Sequence, residues 1–121
     1  MEKSKLLVIV DWHLTLVQDD GTIDGRDLHA LELLASKRDV MILSYVASSK
    51  RAHAVPREVE ELVPFHKKLD VQVCWERTGE EGKCAIAWEE HAHAVFDDNR
   101  WIMEECAEWG LEFYPIQTKH Q

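Results

Sequence analysis

The chain is poor in the features that mark several broad classes. It has three cysteines, Cys74, Cys84 and Cys106, and no C-x-x-C pair. An odd, scattered set excludes a disulfide scaffold and a zinc ribbon, and reads as free thiols in a reducing, cytoplasmic setting. Proline and glycine are scarce, three and five residues, and no repeat or low-complexity segment occurs. That excludes collagen-like and disordered chains. No apolar run approaches the ~20 residues of a membrane span. The opening MEKSK leads directly into a strand-like run and does not read as a signal peptide. Basic residues are outnumbered, 14 Lys and Arg against 23 Asp and Glu, for a formal charge of −9. A nucleic-acid partner is not expected, because neutralising phosphates requires a basic face. The one locally basic stretch, 44–68, holds Lys50, Arg51, Arg57, Lys67 and Lys68 against Glu58, Glu60 and Glu61. Such runs are ordinarily solvated helix faces.

With 121 residues and 45% apolar content, the chain suits one domain, 1–121, with a single core. KLLVIVD (5–11) is continuously apolar and β-branched, the pattern of a strand buried on both faces. LVQDDGTIDG carries a D-G turn signal, for a small hairpin or loop. A helix is expected over about 25–37, with Asp24 as N-cap, Asp27 in the first turn, and Leu28, Leu31, Leu34 and Ala35 on one face. DVMILSY (39–45) is a second strand. Helical material should then run from Ser48 or Ser49 to about 68, interrupted or restarted at Pro56. VQVCW (71–75) is a third strand, 82–91 a short helix, and HAVFDD (93–98) a fourth strand. A helix ended by Gly110 follows, and 111–116 is a fifth strand. Strands and helices thus alternate five times. The expected fold is α/β: a Rossmann-like open parallel five-stranded sheet with helices on both faces, three layers α/β/α.

In such sheets ligands bind beyond the carboxyl ends of the strands, where strand order reverses. Asp11 ends the first strand, Ser44 the second, and Asp97 with Asp98 the fourth. Clustered carboxylates repel one another unless a proton or cation intervenes, and Mg²⁺ suits one to three carboxylates plus waters. An aspartate can also attack phosphorus, given positive charge around the transferred group. A hydroxyl at Ser44 and an ammonium at Lys83, on a helix start that itself favours anions, would supply it.

These residues resemble the four motifs of the haloacid dehalogenase (HAD) superfamily, in order: VIVDWHLT with Asp11 and Thr15, MILSY with Ser44, GEEGKCAIA with Lys83, and AVFDDN with Asp97 and Asp98. The resemblance spans nearly the whole chain. It implies an Mg²⁺-dependent phosphatase, a hydrolase in which Asp11 is nucleophile and metal ligand. The His13 backbone carbonyl and a carboxylate of the 97–98 pair would complete the metal site. Ser44 and Lys83 would hold the phosphoryl oxygens, and Thr15 would support the loop. The departure is His13, where family phosphatases usually carry a second aspartate as general acid and base. Histidine can move protons near neutral pH. The alternative is a catalytically impaired, phosphate- or metal-binding regulatory member. The 32 residues between Asp11 and Ser44 and the 38 between Ser44 and Lys83 leave no room for a cap domain. A phosphorylated macromolecule is therefore a fitting substrate, or a neighbouring subunit could act as lid.

Other signals read as structure. GEEGK is too short for a Walker loop, and no G-x-G-x-x-G occurs. His91 and His93 have no partner pair for zinc. A receiver-type signalling domain would place its acidic pair after the first strand, not the fourth. Five tryptophans suggest core packing or a homo-oligomer interface, with Trp12 a candidate pocket wall.

Overall fold

The computed structural model describes residues 6–12, 15–18, 20–46, 49–75, 82–97 and 100–115; within these, the side chains of 45, 46, 49, 74, 75, 82–85, 100–103 and 105 are not described. The elements alternate as β1 (Leu7–Val10), α1 (Gly25–Lys37), β2 (Asp39–Val46), α2 (Ser49–Leu62), β3 (Leu69–Trp75), α3 (Gly82–Glu89), β4 (Ala94–Asp97), α4 (Arg100–Trp109) and β5 (Glu112–Pro115). A 3₁₀ turn at His66–Lys68 precedes β3. All strand pairs are parallel, in the order β3-β2-β1-β4-β5. This is the open, Rossmann-like α/β sheet that the alternation implies.

The chain steps from β1 outward to β2 and β3, then returns to the other side of β1 for β4 and β5. With crossovers of one hand, that reversal sends the later helices to the opposite face. The two cores follow this division. Val8, Val10, Val40, Ile42 and Ala94 pack with Leu31 and Ala35 of α1 and Val55, Val59 and Val63 along and beyond α2. On the other face Ile9, Met41, Leu43 and Val95 pack with Ala87 of α3 and Cys106 of α4. Alternate residues of each strand serve alternate faces, so the central strands read as unbroken apolar runs.

Local chemistry sets the element ends. The Asp24 carboxylate accepts a bond from Arg26 N at 2.8 Å and caps α1. Gly110, at φ +75°, closes α4, with Leu111 N donating to Cys106 O at 2.8 Å. The D-G signal forms a small hairpin. Gln18 N donates to Thr22 O at 2.8 Å, Val17 bridges Ile23, and Gly21 takes the positive φ of 84° that the turn requires.

α2 and the start of β3 differ from expectation, and α2 ends at Leu62 rather than near 68, where a 3₁₀ turn stands instead. α2 is not interrupted at Pro56 but runs through it. Pro56 lies on the exposed side of the helix, while Val55, Val59 and Val63 anchor the buried side before and after it. β3 starts at Leu69 rather than 71, because exposed Asp70 on this edge strand interrupts the apolar run without interrupting the ladder.

Among the described residues between β1 and α1 the chain makes a tight turn and the small hairpin, and two residues separate β2 from α2; no cap domain stands among the described residues. Among them no helix is long and apolar enough to cross a membrane.

Candidate functional site

The reversal of strand order falls between β1 and β4, and the polar residues collect there. Val10 pairs with Phe96, and Asp11 N donates to Phe96 O at 2.8 Å. Asp11 and Asp97 are therefore the next residues on adjacent parallel strands, with backbones about 4.8 Å apart. Both are buried, at 6% and 1% exposure. Pleat alternation gives Asp97 the same face as Val95, and Asp11 that of Ile9, so the two carboxylates share the α3/α4 side.

The turn after β1 fixes Asp11. Leu16 N and Val17 N both donate to Trp12 O at 3.0 Å, bringing Thr15 back over the strand end. Its hydroxyl, wholly buried, donates to Asp11 Oδ2 at 2.9 Å. This bond orients the carboxylate.

Ser44 lies on β2, two residues before the strand ends. Since Val10 pairs with Ile42, β1 stops short and Ser44 stands one residue beyond the level of Asp11. By alternation it shares the face of Ile42, opposite that of the two carboxylates. Its hydroxyl is buried, at 1% exposure, and has no hydrogen-bond partner among the described residues. Leaving a buried hydroxyl unpaired costs about 1–3 kcal/mol. A ligand oxygen would remove that penalty.

The structure thus brings Asp11, Thr15 and Asp97 together; Ser44 ends up one residue further along the neighbouring strand, on the other face of the sheet. α3 begins at Gly82, so the Lys83 backbone occupies its first turn; the Lys83 side chain is outside the described residues. His13 and Asp98 are also outside them.

Trp12 belongs to the core rather than to a pocket wall: it is fully buried on the α1/α2 side. Its indole N–H donates to Glu58 Oε1 at 3.0 Å, and Arg51 clamps that carboxylate at 2.8 and 3.3 Å. Sequence reasoning missed this link. Part of the mixed-charge run is not a solvated face but ties α2 to the residue after Asp11. The available signal was spacing, since Arg51 and Glu58 are seven apart and so lie on one side of a helix. Lys50, Arg57, Lys67 and Lys68 are exposed, as a solvated face requires. His93 sits just before β4, half-exposed, 3.9 Å from Glu112.

A cavity of about 260 Å³ on the α1 side touches Val10 and Phe96, the residues preceding Asp11 and Asp97. A second cavity, of about 370 Å³ and reaching Tyr114, shares Ala30, Leu34 and Phe96 with it. Both are mainly apolar and lie on the face away from the two carboxylates.

Among the described residues, no three His, Cys, Asp or Glu side chains stand together as a metal cluster. Two adjacent buried carboxylates nonetheless form an all-oxygen donor set. Mg²⁺ takes one or two carboxylates and keeps waters, so the residues present fit that ion. No protein-family model matches the chain, and no curated protein matches it.

Proposed function

We propose that the protein is an Mg²⁺-dependent phosphohydrolase of the HAD type that cleaves phosphomonoesters through an aspartyl-phosphate on Asp11. The observation that carries this reading is the pairing of buried Asp11 and Asp97 at the switch point, with the unpartnered Ser44 hydroxyl on the next strand. Two adjacent buried carboxylates repel each other and lose hydration, costs that a bound cation would offset.

In this mechanism Asp11, Asp97, the His13 carbonyl and Asp98 would hold the ion. Mg²⁺ bound there would supply positive charge against the phosphoryl oxygens and the carboxylates. A carboxylate oxygen of Asp11 bonds to phosphorus as the ester P–O bond breaks. The departing alkoxide takes a proton from the His13 imidazolium. Water then attacks phosphorus, gives a proton to His13, and releases inorganic phosphate with Asp11 restored. The Thr15 hydroxyl holds Asp11 for in-line attack. Ser44 donates to a phosphoryl oxygen and Lys83 neutralises its charge. With no cap among the described residues, the site suits a phosphate on a large substrate, which itself excludes water.

The presence of His13 in place of an acidic residue favours one further reading, a member that binds phosphate and metal but turns over poorly. Turnover of a generic aryl phosphate, with Mg²⁺ and with chelator, separates the two. Hydrolysis that needs Mg²⁺ and vanishes in Asp11→Asn supports the phosphatase. A saturable Mg²⁺ thermal shift without turnover supports the binding protein. Neither effect would remove the site.

A further inference from the structure

Trp12 stands between Asp11 and His13, and it is held in two ways. Through its backbone, the carbonyl accepts from Leu16 N and Val17 N, both at 3.0 Å, which closes the turn that carries Thr15 back to Asp11. Through its ring, wholly buried in the α1/α2 core, the indole N–H donates to Glu58 Oε1 at 3.0 Å. A phenylalanine would fill most of the same space and need no acceptor. The indole adds a direction that apolar packing does not specify, because a buried N–H must point at its partner.

That partner is itself fixed. Arg51 donates from Nη1 to Glu58 Oε2 at 2.8 Å and from Nη2 to Oε1 at 3.3 Å, a guanidinium fork on a carboxylate. The two side chains are partly buried, and the bond from the indole to the charged Glu58 is stronger than one to a neutral acceptor. Arg51 lies in the first turn of α2, the helix that follows the strand of Ser44, whereas Trp12 follows the strand of Asp11. The chain Arg51–Glu58–Trp12 therefore joins the segments that leave β1 and β2. The core beneath does not need these polar groups to seat α2, since Val55, Val59 and Val63 already pack it on the sheet.

We propose that Glu58 is a positioning residue for the Asp11 carboxylate, acting through Trp12. With the ring held, the Trp12 peptide is held. With that peptide held, Leu16 and Val17 keep the turn closed, and the Thr15 hydroxyl stays 2.9 Å from Asp11 Oδ2. Glu58 acts from the α1/α2 side, opposite the face of the Asp11 carboxylate, so it works on the backbone and not on the reacting atoms. Arg51 serves it by keeping the carboxylate turned to the indole. A loosened turn lets Asp11 leave the orientation for in-line attack, which lowers kcat rather than substrate binding. The hold on the turn stands without the phosphatase reading; its effect on turnover rests on that reading.

The test is amide hydrogen exchange by NMR on the full chain, read at Leu16 and Val17 against the amides of the β1–β2 ladder. Glu58→Ala should speed exchange at Leu16 and Val17 by about tenfold or more relative to the ladder, the scale of losing a hydrogen bond to a charged group. Trp12→Phe, which keeps a buried ring, should do the same, and the double variant should go little further. Glu58→Gln retains an acceptor and should recover much of the protection. In parallel, per folded molecule, Glu58→Ala should lower kcat on an aryl phosphate by about tenfold or more with KM within about twofold, and Glu58→Gln should restore most of it. Exchange at Leu16 and Val17 that rises only in step with the ladder would overturn the proposal, leaving Glu58 an ordinary stabilising residue. So would additive effects of Trp12→Phe and Glu58→Ala, or a loosened turn with kcat unchanged. If wild type turns over no aryl phosphate, the phosphatase reading falls, and the exchange ratio alone decides whether Glu58 holds the turn.

Discussion

At the carboxyl end of its strands the protein buries Asp11, Thr15, Ser44 and Asp97; at the amino end it exposes Leu6, Trp88 and Trp109. Each end reverses the ordinary partition of polar and apolar groups, in opposite senses. Between them the sheet obeys it, with Ile9, Met41, Ile42, Leu43 and Val95 at 1% exposure or less. The middle of the sheet supplies the folding free energy, and both ends depart from what stability alone would select. The buried polar end is organised around small, fixed groups. The exposed apolar end presents large flat ones.

The largest effect expected concerns the residue two beyond Asp11. If His13 moves the proton, His13→Ala should lower turnover by about 10²–10⁴, and activity should follow an imidazole ionisation between about pH 5 and 8. Mg²⁺ affinity should change little, because the backbone carbonyl remains. If wild type is nearly inactive instead, His13→Asp should raise activity. Good turnover left untouched by His13→Ala would exclude the residue from both roles.

Tryptophan substitutions sharpen the contrast between the ends. Trp12→Ala removes a fully buried ring and its bond to Glu58, and should cost about 3–5 kcal/mol in denaturant unfolding. Trp88→Ala removes a ring that is more than half exposed, and should cost under about 1 kcal/mol. Comparable losses would mean that the exposed pair is a structural strut.

How much of this was legible follows from range. α1 was readable to its ends, because its cap, dipole charges and apolar stripe all lie within its own residues. Strand existence was readable because buried parallel strands are unbroken apolar runs. The β3 start and the continuity of α2 were not: Asp70 and Pro56 carry strong local signals that tertiary packing overrides. At the site, the strand-end rule picked out Asp11, Ser44 and Asp97 in advance. The register that seats Asp11 next to Asp97, and the opposite pleat of Ser44, depend on pairing between distant segments. The bond of Trp12 to Glu58 crosses 46 residues and left no pattern to read.

Ser44→Ala should separate stability from function. Removing an unpartnered buried hydroxyl should leave stability unchanged or raise it by about 1 kcal/mol, while weakening phosphate binding. A marked destabilisation would show that the hydroxyl serves the fold.

The smallest effect belongs to the hairpin. Asp20 accepts from the Thr22 hydroxyl at 2.6 Å and from Thr22 N at 3.0 Å, which together hold its carboxyl below the ordinary value of 3.8. A depressed carboxyl contributes stability above its unfolded value and loses it as pH falls through the folded one. Asp20→Asn should therefore be slightly less stable than wild type at neutral pH, with the difference closing below the carboxylate range. A difference that grows on acidification would contradict this sign. Asp20 is fully exposed, so the effect should be barely measurable in chemical denaturation.

The central claim is that buried Asp11 attacks phosphorus, and trapping the covalent intermediate tests it most directly. The protein is incubated with an aryl phosphate and Mg²⁺, quenched with hydroxylamine, digested and analysed by mass spectrometry. The prediction is a hydroxamate on Asp11 that requires both substrate and Mg²⁺ and is missing when chelator is present. Mg²⁺-dependent turnover with the label on another carboxylate, or with no label while a known aspartyl-phosphate enzyme is labelled in parallel, would contradict it.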